Sequence, residues 1–429
     1  MRKILTLLLA LSLTGFLTSP ILAQRAKEQK VKYVKKYYDP VLEEMREKAK
    51  QEKKEREKIT AEIRNRQKES KEKEREEKEI LRFDFDGVKK PASLDVFKSA
   101  FYFPPVAQYR TGTCWSFSTT SFLESEAARL TGQKIKLSEI HTVYFEYLEK
   151  VLRYVRERGD SELGEGSESN AVTRIWEKYG VVPFEAYKGL LGGDDRHDHS
   201  RMFAEIRNYL DFVDEQNYWD EEKIISTVKI ILNKYIGTPP TSFEYQGKTI
   251  QPLQFLNDVL KLNPDDYVNV MSTLSVPFYT KGEFKVPDNW WHSVDYYNVP
   301  LEEWYGIIKK AVKNGFTVAI GGDVSEPGYN GFEDAAIVPE FDIPQEYINQ
   351  DSREFRFYNE TSTDDHGVHL VGYADVGGRD WYLIKDSARS SRHGQFEGFY
   401  FYRDDFIKLK MLTFMVHKDA VGDILKKFE

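Results

Sequence analysis

A single cysteine, Cys114, is all the thiol this 429-residue chain contains. No disulfide can form within it, so cross-linking is not what holds its fold. A large excess of charge of one sign is also missing. The formal net charge of −8 suits a soluble protein and gives no reason to expect a nucleic-acid partner. There is no internal repeat, and low complexity is confined to one stretch near the start. Residues 1–23, MRKILTLLLALSLTGFLTSPILA, do carry an apolar run after Arg2 and Lys3 and end on the small residue Ala23. That is the layout of a secretory signal peptide, and it implies an exported, periplasmic or extracellular protein. Thr6, Ser12, Thr14 and Gly15 interrupt the run and Ser19 and Pro20 follow it, which disfavours a permanent membrane span. No stable membrane insertion is expected after cleavage, and no cysteine stands at the cleavage point to take a lipid.

From Gln24 to Ile80 the chain is dominated by Lys, Arg and Glu. Residues 41–80 hold 13 acids against 14 bases, so the stretch is highly charged yet nearly neutral. Opposite charges recur at helical spacing, as in Glu44 with Lys48, Glu52 with Arg56, Glu69 with Lys73 and Glu74 with Lys78. Met45, Ile59 and Ile63 are too sparse for a sustained coiled-coil seam. The stretch reads as an extended helical or partly disordered arm: a spacer, an oligomer contact or a removable pro-segment. Beyond it, residues 81–429 turn globular and aromatic, enough chain for one elaborated domain or two lobes.

The lone cysteine sits in TGTCWSFS, residues 111–118. The approach FPPVAQYRTGT is rich in turn residues. The run from Cys114 then carries Trp115, Phe122, Ala127 and Leu130 at helical spacing and stops at Gly132. Cys114 is thereby expected in the first turn of a helix, where unpaired amides and the helix dipole favour an anion. A buried cysteine serving as a small hydrophobe has no need of that position. A thiolate nucleophile also needs a base and a group to orient it. His366 begins a strand-like run through Val368, Leu370 and Gly372. A Gly377-Gly378 turn and a second run from Trp381 to Ile384 complete a predicted hairpin, and Asp386 stands at its end as an acceptor for an imidazole. His369 lies three residues from His366 and so faces the other side of the strand.

These segments together resemble the papain-like cysteine peptidases. QYRTGTCWSFS is similar to their nucleophile segment, with Gln108 six residues before the cysteine. DHGVHLVGY matches their Asp-His segment at Asp365 and His366, and YLIKDSA their Ile-Lys-Asn-Ser-Trp segment. KLSE and GEGSESNAVTRIWEKYGVVPFEAY are similar to the landmarks between, including a cleft-lining glycine segment. The extra length of the chain, an insertion at about residues 190–305, and the closing FMVHKDAV resemble the bleomycin hydrolase and bacterial aminopeptidase C branch.

The resemblance implies an α+β, two-lobed papain-like fold, with the cysteine on a helical lobe and the histidine on an antiparallel sheet lobe. It implies Cys114 as nucleophile, His366 as its ion-pair partner and Asp386 as the group orienting the ring. Gln108 and the Cys114 amide would form the oxyanion hole, and Trp115, Gly164, Gly166 and Asp365 would line the substrate cleft. Peptides or proteins are the implied substrates, with no metal or organic cofactor, and a homo-oligomer is implied by analogy. Two positions depart from the family. Asp386 replaces an asparagine, and its charge raises the pKa of the histidine; Ala388 replaces a tryptophan, which leaves the histidine's hydrogen bond open to water. These departures keep two alternatives in view: a catalytically silent relative that binds peptides or partners through the same cleft, and a Cys-His-Asp transferase.

Other features read as structure. GGDDRHDHS, residues 192–200, crowds His197 and His199 among aspartates in a pattern a metal site would share, but Asp198 or Ser200 is more simply a helix cap. The glycines of IGGDV lack phosphate-loop spacing and are expected to end a strand beside the cleft. Trp290 and Trp291 read as core. His141 reads as helix packing or surface, and His393 and His417 have no evident partner.

Overall fold

The computed structural model describes residues 31–428, so the leader read at residues 1–23 and the first residues of the arm lie outside the described residues. The chain divides into two units, residues 1–80 and residues 81–429. In the first, Asp39 accepts the amides of Val41 and Leu42 and Pro40 occupies the first helical position, so helix α1 starts there and runs Pro40–Glu76. No residue of α1 is buried. Of the four ion pairs expected from spacing, Arg56 with Glu52 is present at 3.9 Å; the others give way to pairs such as Lys68 with Glu72 and Lys73 with Glu77. Alternative partners at i±3 and i±4 are nearly isoenergetic on so charged a surface.

The second unit has five helices before its main strands: α2 (Cys114–Thr131), α3 (Glu139–Arg156), α4 (Ser169–Tyr179), α5 (Ser200–Glu215) and α6 (Glu221–Ile236). Gly132, at φ 73°, ends α2 as its sequence anticipates. Later come α7 (Leu301–Lys313) and α8 (Gln350–Tyr358). The strands are β1 (Lys98–Ser99), the hairpin β2 (Phe243–Tyr245) and β3 (Lys248–Ile250), then β4 (Tyr267–Met271), β5 (Lys281–Gly282), β6 (Tyr296–Asn298), β7 (Val318–Gly322), β8 (Tyr329–Asn330), β9 (Ala335–Ala336), β10 (His366–Val376), β11 (Arg379–Lys385), β12 (Phe399–Arg403) and β13 (Met411–His417).

All strands but β2 and β3 join one sheet in the order β5-β6-β4-β13-β7-β10-β11-β12-β9-β8, with β1 on β10. Within it, β10 and β11 form the expected hairpin, turning through Gly377 and Gly378 at φ 66° and 78°. The fold is thus α+β and papain-like, a helical layer on a mainly antiparallel sheet. The segment read as an insertion is not an appended body, because its β4 and β6 extend the main sheet beyond β13.

Helix α2 is enclosed. Every residue from Trp115 to Ala127 is buried, against α3 and α4 on one side and β7 and β10 on the other. Several of its polar side chains are paired inside the protein, although Thr119 Oγ1, Thr120 Oγ1 and Glu124 Oε2 have no partner among the described residues. Glu124 accepts from Lys136 at 2.8 Å and from the Leu137 amide at 2.8 Å, and Ser121 bonds His369 Nδ1 at 2.8 Å and Lys385 Nζ at 2.8 Å. The helix meets the sheet most closely at Gly367. A Cβ there would lie 3.0 Å from Ser118 Oγ and 3.5 Å from the Trp115 Cα. Gly367→Val should cost about 1–3 kcal/mol by overpacking this contact, measured as a lower urea midpoint at unchanged slope. Stability equal to that of the parent would contradict the contact.

Candidate active site

The segment that leads into Cys114 is a strained turn followed by a helix. Tyr109 takes φ 55°, in the left-handed region unusual for a bulky residue. Around it the Gln108 side chain is tied at both ends: its Nε2 donates to the Thr111 carbonyl at 2.7 Å and its Oε1 accepts from Ser387 Oγ at 2.6 Å. The Gln108 backbone amide adds a bond to the Ser387 carbonyl at 3.0 Å. The stretch weighed as a metal site clamps the same turn from outside, the Arg110 amide bonding the His197 carbonyl at 3.1 Å and the His199 amide the Arg110 carbonyl at 3.2 Å. Helix α5 begins just beyond, with His199 at the capping position and Asp198 accepting the Ser200 amide at 3.0 Å.

Cys114 opens α2 and is partly exposed. As the first helical residue, it and Trp115 have amides with no carbonyl one turn back to bond. His366 opens β10, paired with Gly322 of β7, so the glycines of IGGDV do end a strand beside the cleft. Its Nε2 lies 2.7 Å from Asp386 Oδ1, leaving Nδ1 as the other ring nitrogen, and the Cys114 sulfur is near enough to favour a charge on the ring. Asp386 follows β11. Its carboxylate also accepts the Ala388 amide at 2.8 Å and the Tyr329 hydroxyl at 3.3 Å, and its own amide bonds the Gly398 carbonyl at 2.9 Å.

Burial opposes a charge on His366, but the Asp386 carboxylate, by charge and hydrogen bond, and then the Cys114 thiol hold the imidazole well above the ordinary histidine range. Burial likewise opposes the Asp386 charge; the His366 ring, the Ala388 amide and Arg392 overcome it and hold the carboxyl below the ordinary aspartate range. The small Ala388 does not leave this bond open to water, contrary to the expectation from sequence. The His366 and Asp386 side chains are 9% and 0% exposed, because Tyr329 and the 388–398 loop close over the carboxylate.

Trp115 is buried and donates its indole N–H to the Glu165 carbonyl at 3.1 Å. The carbonyls of Gly164 and Gly166 both accept from the buried Lys150. Gly112 and Glu165 draw the glycine segment onto the nucleophile turn through a 2.8 Å bond from amide to carboxylate. Asp365 is exposed and takes a bond from Thr363 at 2.6 Å. His369 is fully buried on Ser121 and is held well below the ordinary histidine range by burial and Lys385. The remaining histidines are also structural. Burial pushes His141 down to about 3, His417 accepts the Asp419 amide at 3.2 Å, and the His393 ring stacks on Phe332 at 5.0 Å. Sequence reasoning missed Ser387, Tyr329, Glu165 and Arg392. Ser387 was within reach, as the neighbour of the orienting residue; the others join the site only through folding.

The polypeptide architecture is that of papain-like proteins. The pepw protein of Lactobacillus rhamnosis HN001 (DR20) has a crystal structure that superimposes with a TM-score of 0.61 over 81% of this chain and 87% of that one, at 17% identity. The chain belongs to the Peptidase C1-like family, whose model matches residues 64–429. It is 24% identical to the aminopeptidase C of Streptococcus thermophilus over 264 residues, 51% of this chain and 58% of that protein. It is 22% identical to the aminopeptidase C of Lactococcus lactis subsp. cremoris over 270 residues, 54% and 61% of the two. The chain thus aligns with little more than half the length of these curated relatives.

In an NMR titration, native His366 should lose its proton at a pH above the ordinary histidine value of about 6.5, and Asp386→Asn should move that titration downward. A native value at or below the ordinary one would contradict the arrangement.

Proposed function

We propose that the protein is an exported cysteine peptidase that hydrolyses peptide bonds through Cys114, His366 and Asp386. The observation that carries this reading is the 2.7 Å bond between His366 and the buried Asp386 carboxylate, with the thiol of Cys114 at the opening of a helix near the same ring. The leader at residues 1–23 supports export, and family membership and the aminopeptidase C likenesses support peptidase chemistry.

In this mechanism the Cys114 thiolate and His366 imidazolium form an ion pair. The sulfur attacks the peptide carbonyl, forming a C–S bond while the carbonyl electrons move onto oxygen. That oxyanion takes the Cys114 amide and the second N–H of the Gln108 side chain, whose first N–H is held by Thr111; one such donor is worth about 3 kcal/mol. Collapse breaks the C–N bond as His366 gives its proton to the leaving amine. Water then attacks the thioester, His366 takes the water's proton, and the acid product leaves as the thiolate is restored. Asp386 fixes the ring so that one nitrogen serves the sulfur throughout, and its charge favours the imidazolium state. No metal or organic cofactor has a step to perform. The charged arm is read as a spacer, and the homo-oligomer of the resemblance belongs to the same reading.

The test is stoichiometric labelling by a peptidyl-epoxide probe read by intact mass, on the mature chain beginning at Gln24. The wild type should take one equivalent, and Cys114→Ala and His366→Ala none. A folded wild type that does not label would overturn the proposal in favour of a silent, peptide-binding relative.

A further inference from the structure

The two oxygens of the Asp386 carboxylate have different surroundings. Oδ1 takes His366 Nε2 at 2.7 Å and the Ala388 amide at 2.8 Å. Among the described residues Oδ2 takes one hydrogen bond, from the Tyr329 hydroxyl at 3.3 Å. Tyr329 comes from β8, a distant part of the chain, and is buried. Its ring stacks on Tyr400 at 4.4 Å and lies 6.1 Å from Phe406. Its backbone is held from two directions, since the amide donates to the Glu326 carbonyl at 3.0 Å and the carbonyl accepts from Arg82 at 2.6 Å. The hydroxyl is thus aimed by packing on one side and by backbone bonds on the other. The neighbouring tyrosines do not share its task. Tyr400 and Tyr402 are buried beside it, yet among the described residues their hydroxyls have no hydrogen-bond partner.

A hydroxyl bonded to Oδ2 stabilises charge on that oxygen and so lowers the share that the imidazolium feels across Oδ1. The phenol remains neutral while it does this, because burial first, then the adjacent phenols and the carboxylate, hold it well above the ordinary tyrosine range. It acts as a dipole and not as a charge. The charged and titratable groups about the pair are Cys114 and Asp364 near the ring, and Arg392, Tyr400 and Tyr402 near the carboxylate. Arg392 favours the carboxylate through space, while its Nη1 donates to the Ala388 carbonyl at 2.6 Å and to Ser391 Oγ at 3.1 Å. Direct relief of Oδ2 therefore falls to Tyr329.

We propose that Tyr329 is a positioning residue for the reaction, whose hydroxyl tempers the charge that Asp386 presents to His366, so that the ring can surrender its proton to the leaving amine. The catalytic consequence rests on the peptidase reading, whereas the effect on the ring's proton does not. With no donor at Oδ2, the whole charge of a buried carboxylate would bear on the imidazolium, and the ion pair would be favoured at the expense of the proton transfer that follows it.

The test follows the His366 titration by NMR in the mature chain. Tyr329→Phe removes the donor and concentrates charge toward the ring, so His366 should release its proton at a higher pH than in the parent, by about 0.3 pH unit or more. Replacing Tyr329 by 3-fluorotyrosine, a stronger donor of nearly the same size, should move the titration the other way. In an Asp386→Asn chain, where no carboxylate receives the bond, Tyr329→Phe should leave the titration in place. Tyr329→Phe should also lower turnover of a peptidyl nitroanilide about threefold or more relative to the nitrophenyl ester of the same peptide, because the anilide leaving group needs the proton of His366 and the phenolate does not. A purely structural tyrosine would instead lower stability with the titration unmoved. An unmoved titration, a shift that persists in the Asp386→Asn chain, or anilide and ester turnover that fall together overturns the assignment; should Tyr329→Phe fail to fold, the fluorinated chain decides. Because the titrations involve no turnover, a wild type that fails to label with the epoxide would defeat the peptidase reading alone.

Discussion

A side chain at position 367 would meet Ser118 Oγ at 3.0 Å, and because glycine has none, the first turn of α2 lies directly on the first residues of β10. Cys114 opens that helix and His366 opens that strand, so the backbone contact sets the distance between thiol and imidazole. Neither side chain needs a flexible reach to find the other. The contact is fixed from both sides. Full burial of Trp115 to Ala127 prevents α2 from sliding, and pairing to β7 and β11 prevents β10 from doing so. Ser121, His369 and Lys385 then tie the helix to the hairpin one turn deeper, at 2.8 Å contacts that a sliding helix would have to break.

With the backbones fixed, the site becomes a matter of satisfying buried charge. A carboxylate as enclosed as Asp386 is costly unless its oxygens are bonded, and three donors from separate places meet it: His366, Tyr329 and the Ala388 amide. An asparagine would offer one acceptor oxygen and an N–H to the same surroundings, which supply donors alone. The loop is therefore built for the charge, and the aspartate is no accidental replacement. Ser387 extends the same arrangement, since its hydroxyl holds the Gln108 side chain and its carbonyl holds the Gln108 backbone. The acceptor for His366 and the support for Gln108 are thus adjacent residues of one turn.

Much of this was legible from local signals. Helical spacing ending at Gly132 gave the bounds of α2, and the Gly-Gly turn between apolar runs gave the β10-β11 hairpin with His366 at one end and Asp386 just past the other. Both are short-range patterns in which sequence distance and spatial distance agree. What was not legible depends on contacts between distant segments. Nothing near Asp386 announces Tyr329, and the water exposure inferred from Ala388 was wrong because Tyr329, from a distant segment, joins the 388–398 loop in covering the carboxylate. The histidines and aspartates of residues 194–199 share the composition of a metal site and read as a helix cap, yet their backbone also clamps Arg110, a role in which side-chain identity is nearly silent.

In the proposed mechanism the charge of Asp386 acts on His366 at two steps with opposite effect. It favours the imidazolium, which keeps the resting thiolate paired, but it makes the ring a weaker acid toward a leaving amine and a stronger base toward water. A neutral acceptor would reverse that balance, easing release of the proton to the amine and weakening its removal from water. The buried carboxylate therefore shifts the harder proton transfer to acylation and eases deacylation.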